Sequence, residues 1–217
     1  MVQSMNTQIP TKRVKSDGAK VLVHSIFHTI QGEGPFTGVP AVFVRLGGCN
    51  LQCPGCDTEY TERAEQLTSS TVLSIIRYKL DGNLTTNLIV ISGGEPFRQN
   101  IAELVNLLHY RGYVVQIETN GSMAPQGEFD TMPTIICSPK TSKLNPKMIP
   151  HITAFKYVAN YEHVAELDGL PLTALEHPAT PMLARPPEHF DGDVYLQPMD
   201  MTEHYTYIDP TDALNIE

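Results

Sequence analysis

Three of the four cysteines fall within eight positions, in Cys49-Asn50-Leu51-Gln52-Cys53-Pro54-Gly55-Cys56-Asp57-Thr58. Cysteines are usually buried one at a time as small hydrophobes, so three on a short, turning loop point to a shared inorganic centre. Thiolates are soft ligands that select zinc, copper(I) or iron–sulfur clusters. A structural zinc site wants a fourth Cys or His at a recognisable distance. Cys137 reads as the end of a buried strand, hence a core residue, and the next histidine, His109, is too distant for a local zinc knuckle. A tetrahedral four-iron cluster with one unligated iron fits the triplet best. Zinc is the main alternative, with a disulfide or inert thiols behind it.

Two further stretches concentrate glycine around a carboxylate. Gln31-Gly32-Glu33-Gly34-Pro35-Phe36-Thr37-Gly38 either turns sharply or lets backbone approach a ligand, and Ser92-Gly93-Gly94-Glu95-Pro96 follows a short apolar run. Neither has the Gly-x-Gly-x-x-Gly or Gly-Lys-Ser/Thr form of the common nucleotide loops. His24 and His28 have no role beyond packing or rim contacts.

The elements that must position these loops alternate. Val21–Ile30 and Val39–Leu46 read as strands, the second carrying Arg45 and leading directly into the cysteines. Thr68-Ser69-Ser70 caps a helix through Leu80, with Val72, Ile75, Ile76 and Leu80 on one face. Further strands are expected at Asn87–Ile91, Tyr113–Ile117, Pro133–Cys137, Ala154–Val158 and Asp193–Leu196, with a helix over Asn100–Tyr110 and a weaker one over Tyr161–Leu167. Short, nearly solid apolar strands alternating with helices predict parallel strands buried on both faces. The expected fold is α/β: a partial, open β/α barrel of about six mostly parallel strands, with the cluster loop after the first strand. Ligands then gather beyond the strands' C-terminal ends. Leu170–Glu188, rich in proline, is expected as a covering loop.

The formal charge of −9, from 15 Lys and Arg against 24 Asp and Glu, opposes a nucleic-acid groove. No apolar run approaches the roughly 20 residues that span a bilayer. Clustered cysteines and a polar first twenty residues suggest a reducing compartment, so a cytoplasmic protein is expected. Residues 1–20, with Lys12, Arg13, Lys15 and Lys20, read as a flexible leader; 21–200 form the catalytic domain and 201–217 a short tail.

C-x3-C-x2-C followed by a strand ending in Ser92-Gly93-Gly94-Glu95 resembles the radical S-adenosylmethionine (SAM) superfamily. The narrower resemblance is to the 7-carboxy-7-deazaguanine synthase family. It rests on Thr29–Gly38, Phe43-Val44-Arg45-Leu46, Gly48-Cys49-Asn50-Leu51, Cys56-Asp57-Thr58, Ile117-Glu118-Thr119-Asn120-Gly121, Ser138-Pro139-Lys140 and Leu196-Gln197-Pro198. It implies a small, homodimeric partial barrel that contracts the ring of 6-carboxy-5,6,7,8-tetrahydropterin to 7-carboxy-7-deazaguanine. Ammonia is lost, as in queuosine-type biosynthesis. The implied cofactors are a [4Fe–4S] cluster, SAM (regenerated each turnover) and Mg2+, with flavodoxin or ferredoxin as electron donor.

Under that resemblance Cys49, Cys53 and Cys56 hold the cluster and Thr58 the Mg2+. Ser92, Gly93, Gly94, Glu95, Glu118, Ser138 and Lys140 serve SAM. Gln31, Glu33 and Arg45 form the pterin shell, with Asp57 orienting the metal shell. A paired carboxylate suits the amidine-like edge of a reduced pterin, and a planar guanidinium suits its carboxylate. The rivals are another radical SAM enzyme, such as a glycyl-radical activase, and a zinc-stabilised binding module. The family's C-terminal Gln-Thr-His-Lys is absent from the sequence. The wall is then missing, rebuilt by the tail or supplied by a partner subunit, and rebuilding is expected; His204 or Tyr205 in that space is the lesser reading beside a solvated tail.

Overall fold

The computed structural model describes residues 6–56, 58–82, 85–159, 164–174 and 182–198. The expected tail contacts of His204 and Tyr205 lie outside the described residues, as does Asp57. Described strands are β1 (Lys20–Ile30), β2 (Pro40–Leu46), β3 (Glu65–Thr68), β4 (Leu88–Gly93), β5 (Val114–Thr119), β6 (Thr134–Cys137), β7 (Ala154–Ala159) and β8 (Val194–Pro198). They form one open sheet in the order β3-β1-β2-β4-β5-β6-β7-β8. From β2 to β8 every pairing is parallel, which gives the six parallel strands expected. Two antiparallel strands, β1 and β3, extend the β2 edge. The cysteine loop therefore follows the second strand of the chain, which is the first of the parallel series. Val21–Ile30 takes the earlier place because a short glycine loop can join it to β2 only as a hairpin.

Helix α1 (Ser69–Leu80) begins at Thr68, whose side chain accepts the Thr71 N–H, and buries Val72, Leu73, Ile76 and Leu80. Helix α2 (Ala102–Tyr110) buries Leu104, Val105 and Leu108. Both pack on the sheet face that carries Val42, Val44, Ile89, Ile91, Val115 and Ile117, in one apolar cluster. The helix expected over Tyr161–Leu167 is not found where the residues are described: Val164 makes an isolated bridge to Pro171, and a turn follows. Three hydrogen bonds to Asp168, one from Leu170 N–H and two from Arg185, favour that turn over a helix.

The opposite sheet face positions the site. Register pairs Arg45 with Ser92, Val90 with Gln116, Glu118 with Ile136, Ile136 with Ala154 and Lys156 with Tyr195. Alternation along each strand then puts Arg45, Ser92, Gln116, Glu118 and Lys156 on one face. Toward the strands' N-terminal ends that face is apolar, with Ala41, Leu88 and Val90 buried under Phe36, Val39 and Phe43. It turns polar toward the C-terminal ends.

Candidate active site

The loop from Gly47 to Tyr60 leaves β2 and carries the three cysteines. No disulfide joins any of the four cysteines among the described residues. Burial pushes the Cys49 thiol up to about 12, Glu95, Cys53 and Cys56 adding to the rise, and burial also raises Cys53. The three thiols thus share one electrostatic neighbourhood. Among the described residues no three Cys, His, Asp or Glu side chains are drawn into a closed ligand sphere. The donor set nonetheless fits an iron–sulfur centre. Two buried thiols, Cys49 and Cys53, with Cys56 within electrostatic reach on the same loop, lose their protons most readily to a coordinated metal. The guanidinium of Arg98 lies beside this loop, donating to Gly47 O (3.0 Å), while its Nε is buried without a partner among the described residues.

The loop after β4 sits directly on the cysteine loop. Gly94 N–H donates to Leu46 O (3.0 Å) and Glu95 N–H to Gly48 O (3.1 Å). A Cβ on Gly94 would lie 1.9 Å from Gly48 O, and one on Gly93, at φ +107°, 2.5 Å from Leu46 N and O. Both glycines are therefore required by backbone meeting backbone, not only by an approaching ligand. Glu95 is fully buried and accepts from Phe97 N–H (3.0 Å), Thr119 Oγ1 (2.7 Å) and Asn120 N–H (2.9 Å). Burial raises its carboxyl to about 7 against those hydrogen bonds. Its geometry makes it a bracket between the loops after β4 and β5. Asn120 Nδ2 donates on to Asn50 Oδ1 (3.1 Å), and Asn50 Nδ2 to Ser122 Oγ (2.9 Å), tying the loop after β5 to the cysteines as well.

A second polar group lies across the same end of the sheet. Gln31 is buried and donates from Nε2 to Glu118 Oε1 (2.9 Å), to which Gln116 Nε2 also donates (3.1 Å). Lys156 sits 3.7 Å from Glu118 Oε2 and forms an ion pair with Glu33. Burial lowers the Lys156 pKa, but Glu118 and Glu33 outweigh it and the net shift is upward. Glu118, expected at the SAM ribose, is thus held among the residues expected around the pterin. Arg45 lies with its guanidinium 5.1 Å from the centre of the Phe27 ring, which stacks on Phe43. The glycine loop is closed by Gly38 N–H to Gln31 O (2.7 Å), with Gly34 and Gly38 at φ +71° and +86°.

Lys140 links the two halves. Its ammonium donates to Ser138 Oγ (2.6 Å) and Ser138 O (3.0 Å). Burial and the Lys156 charge lower its pKa, while Cys53, Cys137 and Cys56 oppose the shift, so it lies within electrostatic reach of both the cysteines and Lys156. Ser92 is buried on the shared face. Thr58 is held through its carbonyl, which accepts from Gln8 Nε2 (2.9 Å). A surface hollow of about 500 Å3 beside Phe129, Met132, Lys147 and His151 contains none of these groups.

Lys156, Arg98, Gln116, Asn50 and Asn120 were not singled out from the sequence. The signal available for Lys156 was a lone cation inside the apolar run Ala154-Phe155-Lys156-Tyr157-Val158, where charge is costly unless paired.

This is a cysteine-rich loop at the C-terminal edge of an open parallel sheet, and comparison bears out an iron–sulfur domain: residues 30–119 match the family described as "4Fe-4S single cluster domain". A 7-carboxy-7-deazaguanine synthase from Rhodospirillum rubrum is 41% identical over 185 residues, 85% of this chain and 77% of its own. That from Rickettsia prowazekii is 39% identical over 169 residues, 73% of this chain and 69% of its own. The crystal structure of QueE from Escherichia coli superposes with a TM-score of 0.57 at 27% identity, covering 66% of this chain and 72% of that one. The chain belongs to the 7-carboxy-7-deazaguanine synthase family.

Proposed function

We propose that this protein is a carbon–nitrogen lyase of the radical SAM type. It contracts 6-carboxy-5,6,7,8-tetrahydropterin to 7-carboxy-7-deazaguanine with release of ammonia, in queuosine-type 7-deazapurine biosynthesis. The observation that carries this reading is the Gln31–Glu118–Lys156–Glu33 group on a sheet whose parallel strand β2 leads from its C-terminal end into the cysteine loop. A cluster held by Cys49, Cys53 and Cys56, with SAM on its open iron, would supply the electron and the 5′-deoxyadenosyl radical that removes a substrate hydrogen.

The chain's own residues bind and orient. Gln31 and Glu33 offer hydrogen-bond partners to the amidine-like edge of the pterin, and Arg45 offers a guanidinium to its carboxylate. Lys156 holds Glu33 and Glu118 in place, so a substrate meets carboxylates already fixed. Ser138 and Lys140 suit the carboxylate or ribose of SAM, between cluster and pterin. Ser92, Gly93 and Gly94 border its amino group, and Glu95 holds their loop. Thr58 gives Mg2+ one hydroxyl, with waters and substrate oxygens completing the shell. Flavodoxin or ferredoxin is the proposed reductant and a homodimer the proposed assembly. Among the described residues no helix is long and apolar enough to cross a membrane.

The test is anaerobic turnover of cluster-loaded protein with SAM, Mg2+ and the carboxytetrahydropterin. The expected result is 7-carboxy-7-deazaguanine and ammonia, with no stoichiometric 5′-deoxyadenosine. Cluster-loaded, SAM-cleaving protein that forms no deazapurine would overturn the assignment. T58A is expected to lose its response to Mg2+ while keeping the cluster's absorbance.

A further inference from the structure

The cysteine loop is held by a segment that belongs to no strand or helix. The base of the loop is closed by the fold itself, Gly47 N–H donating to Leu22 O (2.9 Å) and Gly48 N–H to Tyr60 O (2.8 Å). The carbonyls between them look elsewhere. Cys49 O accepts from Thr11 N–H (2.7 Å) and Thr11 Oγ1 (3.2 Å). Cys53 O accepts from Asn6 Nδ2 (3.0 Å) and Pro54 O from Asn6 N–H (3.2 Å). The Gln8 amide spans the return of the loop, donating to Thr58 O (2.9 Å) and accepting from Tyr60 N–H (2.7 Å). Gln52 Nε2 donates back to Asn6 O (2.9 Å).

Burial does not explain why this segment lies there. Its apolar residues face solvent, Ile9 being 76% and Val14 41% exposed. Its partners are instead the loops at the site. Beyond Thr11, Lys12 O accepts from Arg98 (3.1 Å), Val14 N–H donates to Arg98 O (2.8 Å), and Gln126 Nε2 donates to Val14 O (3.1 Å). One strap therefore crosses the loops after β2, β4 and β5 and contributes nothing to the apolar core.

We infer that Asn6, Gln8 and Thr11 are positioning residues of the cysteine loop, setting the spacing of Cys49, Cys53 and Thr58 for the metal centre. The inference rests on the cluster reading above. Each bond fixes a backbone group of a proposed ligand or of a residue within two positions of one, so its loss lets the loop open between ligands while the sheet stays intact. A neutral hydrogen bond is worth roughly five-fold in such a closing equilibrium. N6A/Q8A removes the three contacts that these two side chains make with the loop.

The test compares wild type, N6A/Q8A, Q8E and the control Q126A, each loaded with iron and sulfide anaerobically. The readouts are iron release to a ferrous chelator, the electron paramagnetic resonance of the reduced cluster, and the melting temperature of the cluster-free protein. N6A/Q8A is expected to release iron at least about ten-fold faster, with an altered resonance and a wild-type melting temperature. Q8E keeps the acceptor for Tyr60 N–H but loses the donor to Thr58 O, so it falls between. It also serves if the double variant does not fold. Q126A, which loses a strap contact away from the cysteines, should match wild type. Wild-type iron release and resonance in N6A/Q8A and Q8E would overturn the inference. So would faster release that only tracks a lowered melting temperature. A wild type that binds zinc and no cluster would instead defeat the underlying assignment.

Discussion

Lys156 carries one positive charge between two carboxylates, with its side chain only 8% exposed. A buried ion pair stripped of one partner is strongly destabilising, because the remaining charge has neither water nor a counter-ion. K156Q should therefore cost more than an exposed lysine would. The expected loss in kcat/KM for the pterin is on the order of a hundred-fold, with SAM binding retained. K156R keeps the charge and should recover part of it. Steady-state kinetics with a SAM-binding titration would decide, and unchanged kinetics in K156Q would remove the residue from the site. A different pair bears on stability in acid. The Asp168 carboxyl is held below its ordinary 3.8 by the Leu170 N–H, with burial opposing the shift and Arg185 adding to it. A depressed carboxyl stabilises the fold above its unfolded value, and that contribution is lost as pH falls through the folded one. Denaturant melts of D168N should consequently show a flatter fall in stability below about pH 3.8 than wild type. Parallel curves would mean that Arg185 contributes nothing through this pair.

The elements were legible where their signal is local. The Thr68 cap, the apolar faces of α1 and α2, and the solid runs of β4 to β7 each state their state within a dozen residues. The cysteine triplet was equally plain, since its ligands share one loop. Lys156 and Gln116 were not, because their meaning depends on which distant strand lies beside them, and register between parallel strands leaves no mark on sequence spacing; Arg98 was not, because its partners are the carbonyls of Gly47 and Lys12, remote in sequence. Residues 6–19 read as a leader for a related reason. A segment held only by polar contacts to loops carries neither period nor apolar content to announce it. The glycine pair after β4 was legible as special but its partner was not. Because a Cβ at Gly94 would meet Gly48 O at 1.9 Å, G94A must part the loops after β2 and β4. Cluster content in G94A should fall to a small fraction of wild type under identical loading, read as iron and sulfide per chain. Full loading would show that the two loops separate without consequence.

Over the whole molecule, one apolar cluster runs from Val21 and Val23 on β1 through both helices to Phe155 and Tyr157 on β7. No second core of comparable size is present among the described residues, the smaller group at Ala41, Leu88 and Val90 lying on the other face of the same strands. Cluster-free protein should unfold in one cooperative transition. The chain has no tryptophan, so tyrosine absorbance and far-ultraviolet circular dichroism are the two probes, and their midpoints should coincide. Separate midpoints would place a boundary within the sheet.

The contact between Gly94 and Gly48 also bears on how such a protein can change over generations. On that side Gly94 and Gly48 of the loops after β4 and β2 meet main chain to main chain, and a side chain added at Gly94 collides. On the other side Glu33, Glu118 and Lys156 meet through the tips of long side chains, which can be exchanged while the strands stay where they are. With the roles proposed above, radical generation falls to the half with little room for variation, and molecular recognition to the half with more. A lineage could acquire a new substrate by redrawing the charges along β5 and β7 without disturbing the half that makes the chemistry possible.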